Sequence, residues 1–85
     1  MNFNTRITYS NVFSDASGAE ANVEVGYCFY AVHYVDGSAR ARLVAGSPRG
    51  AEKKAWPVHA CKVALAHWAL TAEWKAAHAA MYAAA

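Results

Sequence analysis

Four histidines, two cysteines and six carboxylates are the residues of this chain that could hold a metal or carry nucleophilic chemistry. Their spacing argues against both. On a helix each residue advances ~100°, so His59 and Cys61 point ~160° apart and cannot share one tetrahedral site. His67 and His78 share a helix face but stand about three turns apart. Asp15, Glu20, Glu24, Asp36, Glu52 and Glu73 are scattered singly along the chain. Two-metal or acid–base catalysis needs carboxylates that converge. No catalytic residue, metal or cofactor is therefore expected. What remains is recognition chemistry. Tyr27, Phe29 and His33 alternate on one face of a strand, and Arg40 and Arg42 alternate on the next. Guanidinium groups and aromatic rings together make contact surfaces, with Arg stacking on the rings. Arg49, Lys53 and Lys54 extend that set toward the following helix.

The elements that must position these residues follow from periodicity. Phe3, Thr5, Ile7 and Tyr9 alternate with Asn4, Arg6, Thr8 and Ser10, a period of two that predicts a half-buried strand. Residues 14–21 are small and polar and read as a surface loop. Residues 22–35, rich in Val, Tyr and Phe, read as the main strand. Asp36-Gly37 supplies a two-residue hairpin turn, and residues 38–45 return from it. This turn sets Val35 opposite Ser38 and Tyr34 opposite Ala39. Cys28, Tyr30, Val32, Tyr34, Ala39, Ala41, Leu43 and Ala45 then form the core face. Tyr27, Phe29, Ala31, His33, Val35, Arg40, Arg42 and Val44 form the outer one.

Ser47-Pro48 has the form of a helix start, with Ser47 as N-cap and Pro48 at the first helical position. A short helix over 48–56 is expected to meet a second one at an angle imposed by Pro57. The second helix should be long. Residues 58–82 are Ala-rich and contain neither Gly nor Pro. Their apolar residues fall on two faces. Val58, Cys61, Leu65, Trp68 and Ala72 make one, with Leu65 and Trp68 expected on Tyr30, Val32 and Leu43. Val63, Leu70, Trp74, Ala77 and Met81 make the other, which asks for a second copy, a foreign partner or a fold-back of the chain. The predicted architecture is a single α+β domain over residues 1–85. It has three antiparallel strands packed on one face by the long C-terminal helix.

Composition narrows the class. Hydrophobic residues make up 56% of the chain, but no run of about eighteen strongly apolar residues exists to span a bilayer. The first residues lack the charged and apolar regions of a signal peptide. The expected setting is the cytoplasm, with Cys28 and Cys61 as buried thiols rather than a disulfide. The net charge of +2 conceals an asymmetry, because six of the eight Lys and Arg residues lie between Arg40 and Lys62. A basic patch on this stretch is expected to meet nucleic acid or an acidic protein surface.

Three resemblances bear on these residues. The stretch Val12-Phe13-Ser14-Asp15-Ala16-Ser17 resembles the first strand of ribonuclease-H-like nucleases, which would make Asp15 a ligand of catalytic metal. The positions where that family's helix carries a glutamate read Val58-His59-Ala60-Cys61 here. The hairpin, Gly46-Ser47 and the paired Lys53-Lys54 are similar to the second half of a double-stranded-RNA-binding domain. That likeness implies phosphate contacts by Lys53, Lys54 and Lys62. The run from Tyr30 to Trp68 looks similar to small anti-CRISPR proteins of phages and mobile elements. It contains Asp36-Gly37, Arg40-Ala41-Arg42, Gly46-Ser47-Pro48 and a basic Ala-rich helix. This third resemblance implies a non-enzymatic inhibitor, acting in the host cytoplasm, that covers the nucleic-acid-binding surface of a multi-subunit CRISPR effector. The expected activity is thus protein binding and inhibition, with a nucleic-acid-binding module as the alternative.

Overall fold

The computed structural model describes residues 5–13, 18–35 and 37–71. It shows an α+β architecture with four strands, not three, and one helix. Strands β1 (Thr5–Val12), β2 (Gly18–Val25), β3 (Cys28–Val35) and β4 (Ser38–Ala45) precede helix α1 (Glu52–Trp68). The sheet is antiparallel throughout, in the order β1-β2-β3-β4. The helix lies across one face and touches all four strands.

The extra strand comes from a turn inside the segment expected to be one long strand. Gly26 and Tyr27 reverse the chain and pair Val25 with Cys28. Gly26 has φ +58°, and a Cβ there would come within 2.8 Å of the Trp56 ring. Conformation and space both call for glycine. The reversal also flips the inward parity, from Ala19, Ala21, Val23 and Val25 on β2 to Cys28, Tyr30, Val32 and Tyr34 on β3. β2 starts at Gly18, so the stretch 18–21 is strand instead of loop. Its small residues serve packing. Tyr34 is flanked by Ala19 and Ala39, and Val32 by Ala21 and Ala41, leaving a shallow bed for the helix.

Two bulges adjust the flanking strands. In β1, Ile7 pairs with Val23 but Tyr9 pairs with Asn22, so Thr8 is the additional residue. Before the bulge Thr5 and Ile7 face the helix; after it Ser10 and Val12 do. Tyr9, expected beside Ile7, is turned outward and 48% exposed; Phe3 lies outside the described residues. In β4, Tyr30 pairs with Leu43 and Phe29 with Ala45, so Val44 is the extra residue. Ala45 leaves the core face, and Leu43 stays 43% exposed. The hairpin register itself is as expected, with Val35 opposite Ser38 and Tyr34 opposite Ala39.

One helix replaces the expected pair. Ser47 and Pro48 lie in irregular chain, and the helix begins at Ala51 without a side-chain cap. Glu52 does part of that work, accepting the Arg49 backbone N–H at 3.0 Å. Pro57 sits inside the helix. It costs the hydrogen bond to the Lys53 carbonyl, one turn earlier, but does not break the element. The buried stripe is Trp56, Ala60, Ala64 and Trp68, one residue every ~3.6. Cys61, Val63 and Leu65 flank it, whereas Val58 is 54% exposed. Small residues at the centre of the stripe let the backbone approach the sheet.

At its far end α1 closes after Trp68. The N–H groups of Leu70 and Thr71 bond back to His67 and Trp68. The Thr71 hydroxyl also donates to the Trp68 carbonyl at 2.8 Å, a local competitor for helix hydrogen bonding. Ala72 to Met81, including Trp74, lie outside the described residues.

Trp68 ties these features together. It is fully buried, meets Tyr34 edge-to-face with centroids 6.2 Å apart, and donates its indole N–H to Ser10 Oγ at 2.9 Å. It therefore reaches across β2, from β3 to β1. Trp68→Ala should cost about 3–5 kcal/mol, a large part of the stability of so small a domain. Trp68→Phe with Ser10→Ala isolates the hydrogen bond. A urea-denaturation double-mutant cycle should return about 0.5–1.5 kcal/mol of coupling. Zero coupling would remove that bond from the structure's supports.

Candidate binding surface

The sheet face opposite the helix carries three rows of side chains set by the strand register. Arg6, Glu24, Phe29 and Ala45 form one; Tyr9, Asn22, Ala31 and Arg42 the next; Asn11, Glu20, His33 and Arg40 the third. Of the residues singled out in the sequence, Phe29, His33, Arg40 and Arg42 come together here, all exposed. Arg40 lies directly opposite His33 and Arg42 opposite Ala31. Phe29 is opposite Ala45, so cross-strand pairing places neither guanidinium directly on its ring. Tyr9 and Val35 add exposed apolar surface.

The sequence reading did not place the acidic half of this face. Glu20 and Glu24 point outward from β2, whose first residues had read as loop. Glu24 pairs with Arg6 at 3.0 Å, and Glu20 accepts the Tyr9 hydroxyl at 3.3 Å. Among the described residues Arg40 and Arg42 form no ion pair. The face is thus polarised across its strands, acidic on β2 and basic on β4, about two strand spacings or ~10 Å away. Alternation between neighbouring charged and apolar residues was the available signal, and it was obscured by the unrecognised turn at Gly26.

Tyr27 does not belong to this face. It sits in the β2–β3 turn, edge-on to Trp56 with centroids 4.8 Å apart, and its hydroxyl donates to Glu52. Arg49 lies near it just before α1, and Lys53 and Lys54 stand in the first turn of α1; all three are exposed to solvent. Lys54, Val58, His59 and Lys62 line an open groove of about 710 Å³ along the helix. The expected basic patch is therefore divided. Arg40 and Arg42 lie on the open sheet face, while the lysines lie with the helix on the opposite side. Val63, expected on a second interaction face, is half-buried against the core; Leu70 is 81% exposed.

No group of three or more metal-ligating side chains occurs among the described residues, and Asp15 lies outside them. Both cysteines are free. Burial pushes the Cys28 and Cys61 thiols up from their ordinary value, away from the thiolate a nucleophile needs. His59 is half-buried, with Nε2 3.3 Å from Thr5 Oγ1, so it joins β1 to α1 instead of standing on an open helix surface. The Tyr27 bond is the main reason Glu52 is held below the ordinary carboxylate value of 4.5, with the Arg49 N–H adding to it. The same bond raises Tyr27 above 10.0. No family model, curated protein or solved structure matches the chain.

The tyrosine–carboxylate contact should be visible as pH-dependent stability. The depressed Glu52 contributes stability above pH ~4.5 that is lost as pH falls through its folded value. The raised Tyr27 contributes below pH ~10 and loses that contribution as pH rises through its own folded value. Tyr27→Phe should remove the alkaline limb of melting temperature against pH and flatten the acid one, and Glu52→Gln should flatten both limbs. Profiles parallel to wild type in both variants would show that the contact does not form in solution.

Proposed function

We propose that this protein is a non-enzymatic binding protein that engages a partner protein through the open face of its sheet. One observation carries the reading. The cations that looked like a single basic patch are separated onto two sides of the molecule, and the two on the sheet share their face with carboxylates, a histidine and apolar groups. A surface for phosphates gathers one sign of charge. A surface for protein mixes apolar contacts with charges of both signs, which fix orientation and reject wrong partners. The narrower form of the proposal is inhibitory. The resemblance to small anti-CRISPR proteins supports a module that occludes the nucleic-acid-binding surface of an effector complex. On this reading Arg40 and Arg42 would pair acidic or carbonyl groups of that effector, with Glu20 and Glu24 facing its cations and Phe29 and Tyr9 adding apolar contact.

The alternative, a nucleic-acid-binding module, draws on exposed Lys53 and Lys54 and on the groove containing Lys54 and Lys62. Two charge-reversed variants separate the readings. Arg40→Glu with Arg42→Glu should keep the wild-type melting temperature and lose a partner captured by crosslinking in host lysate. Lys53→Glu with Lys54→Glu should retain it. Binding to duplex RNA or DNA whose log K falls steeply with log salt, and which only the lysine variant abolishes, would overturn the proposal.

A further inference from the structure

The strand that carries Arg40 and Arg42 is also an edge. β4 ends the sheet order, with one long side bonded to β3 and the other open among the described residues. We infer that an extended acidic segment of the partner protein adds to this edge as a fifth, antiparallel strand. The inference rests on the reading of Arg40 and Arg42 as partner contacts, and it names what they meet.

The register shows which backbone groups are free. In a two-residue hairpin the residues flanking the turn exchange backbone hydrogen bonds, and bonded and non-bonded pairs then alternate along an antiparallel ladder. Val35 faces Ser38, His33 faces Arg40 and Ala31 faces Arg42, so these are the bonded pairs. Ala39, Ala41 and Leu43 therefore direct their N–H and C=O groups away from β3, at intervals of ~7 Å. Such a row is a ready template for another strand. The opposite edge is a poorer one. β1 is interrupted in its middle by the bulge at Thr8, whereas β4 stays regular from Ser38 to Leu43.

Charge says which strand fits. In an antiparallel neighbour the residues opposite Arg40 and Arg42 form the non-hydrogen-bonded pairs, whose side chains stand closest. Neither arginine has an ion pair among the described residues, so carboxylates at two alternate positions complement them. The positions opposite Ala39, Ala41 and Leu43 turn toward the helix side and suit small or apolar residues. One of these would cover Leu43, which is 43% exposed. A second copy does not fit. Antiparallel pairing of β4 with itself sets arginine opposite or beside arginine in every central register that matches the faces. A row of phosphates fits less well, because it offers acceptors only and leaves the outward carbonyls unpaired. Main-chain bonds thus supply affinity, and the acidic alternation supplies choice.

The test titrates the full chain with a short synthetic peptide in which Glu alternates with Val or Thr, followed by amide NMR and hydrogen exchange. A dissociation constant on the order of 0.1–1 mM is expected of a short strand that must be ordered on binding. Exchange should slow at the Ala39, Ala41 and Leu43 amides and stay unchanged along β1. Arg40→Glu with Arg42→Glu should weaken the peptide by at least ~10-fold and accept instead a peptide with Lys in place of Glu. Ala41→Pro removes one outward N–H at a position where an edge strand tolerates proline, and should abolish binding with the fold retained. Ala39→Pro makes the same test if that variant does not fold. Wild type whose edge amides gain no protection overturns the inference. So does equal binding of the Lys peptide, or binding that survives the proline substitution. Duplex RNA that displaces the peptide and shifts Arg40 and Arg42 without protecting those amides would make this a phosphate surface, and overturns it too. Capture of the crosslinked partner keeps two failures apart. If Ala41→Pro retains a partner that the arginine variant loses, the sheet face stands and strand addition is wrong. If both variants retain it, the face itself is not the binding surface.

Discussion

The helix is held to the sheet by two indoles, and the rest of the structure is arranged to admit them. Trp56 and Trp68 lie on one helix face, separated by ~18 Å at 1.5 Å per residue. The first covers Gly26 and meets Tyr27; the second meets Tyr34 and bonds to Ser10. Each large ring buried in this way contributes about 2–3 kcal/mol. Between them Ala60 and Ala64 are fully buried, which brings the helix close to Val23, Val25 and Val32. Local irregularities elsewhere are consequences. Gly26 clears space for one indole. The bulge at Thr8 changes which residues of β1 face inward, and so delivers Ser10 to the other.

This arrangement uses up the only helix among the described residues on one side of the sheet. A helix lying on four strands can cover one face, and the other keeps its exposed side chains. An open antiparallel face is ordinary when it is polar. Here it carries Tyr9, Phe29 and Val35 beside His33, Arg40 and Arg42, with carboxylates confined to β2. Function on this reading is a by-product of how the core is built, because the strand order that places alanines beneath Trp68 also sorts acid and base onto opposite sides of the outer face.

The parts of this design that were legible in the sequence depend on local chemistry. Asp36-Gly37 announces a hairpin, and two-residue turns leave no freedom in register, so the rows of β3 and β4 could be drawn in advance. Four of the contact residues, Phe29, His33, Arg40 and Arg42, follow from those rows. The turn at Gly26 was hidden because Tyr27 is a good strand residue and a single glycine is compatible with a strand. Parity was the better guide: valines at odd positions before Gly26, tyrosines and valine at even positions after it. The helix was misread for another reason. Its large apolar residues, Val58 and Leu65, drew the face toward themselves, whereas the true centre is occupied by alanines that bury little area but permit close approach. Bulges at Thr8 and Val44 are set by tertiary demands and leave no local signature. The alanines of β2 looked like loop because small residues signal both flexible chain and tight packing.

The most direct test is which side of the sheet meets solvent. A soluble paramagnetic probe added to dilute isotope-labelled protein broadens the side-chain resonances it can approach. Phe29, Ala31, His33, Val35, Arg40 and Arg42 should broaden strongly, while Tyr30, Val32, Val23 and the Trp68 indole remain sharp. Equal protection of the two sets would mean that a second layer covers the sheet, and that the face assigned here to a partner belongs to the protein's own core.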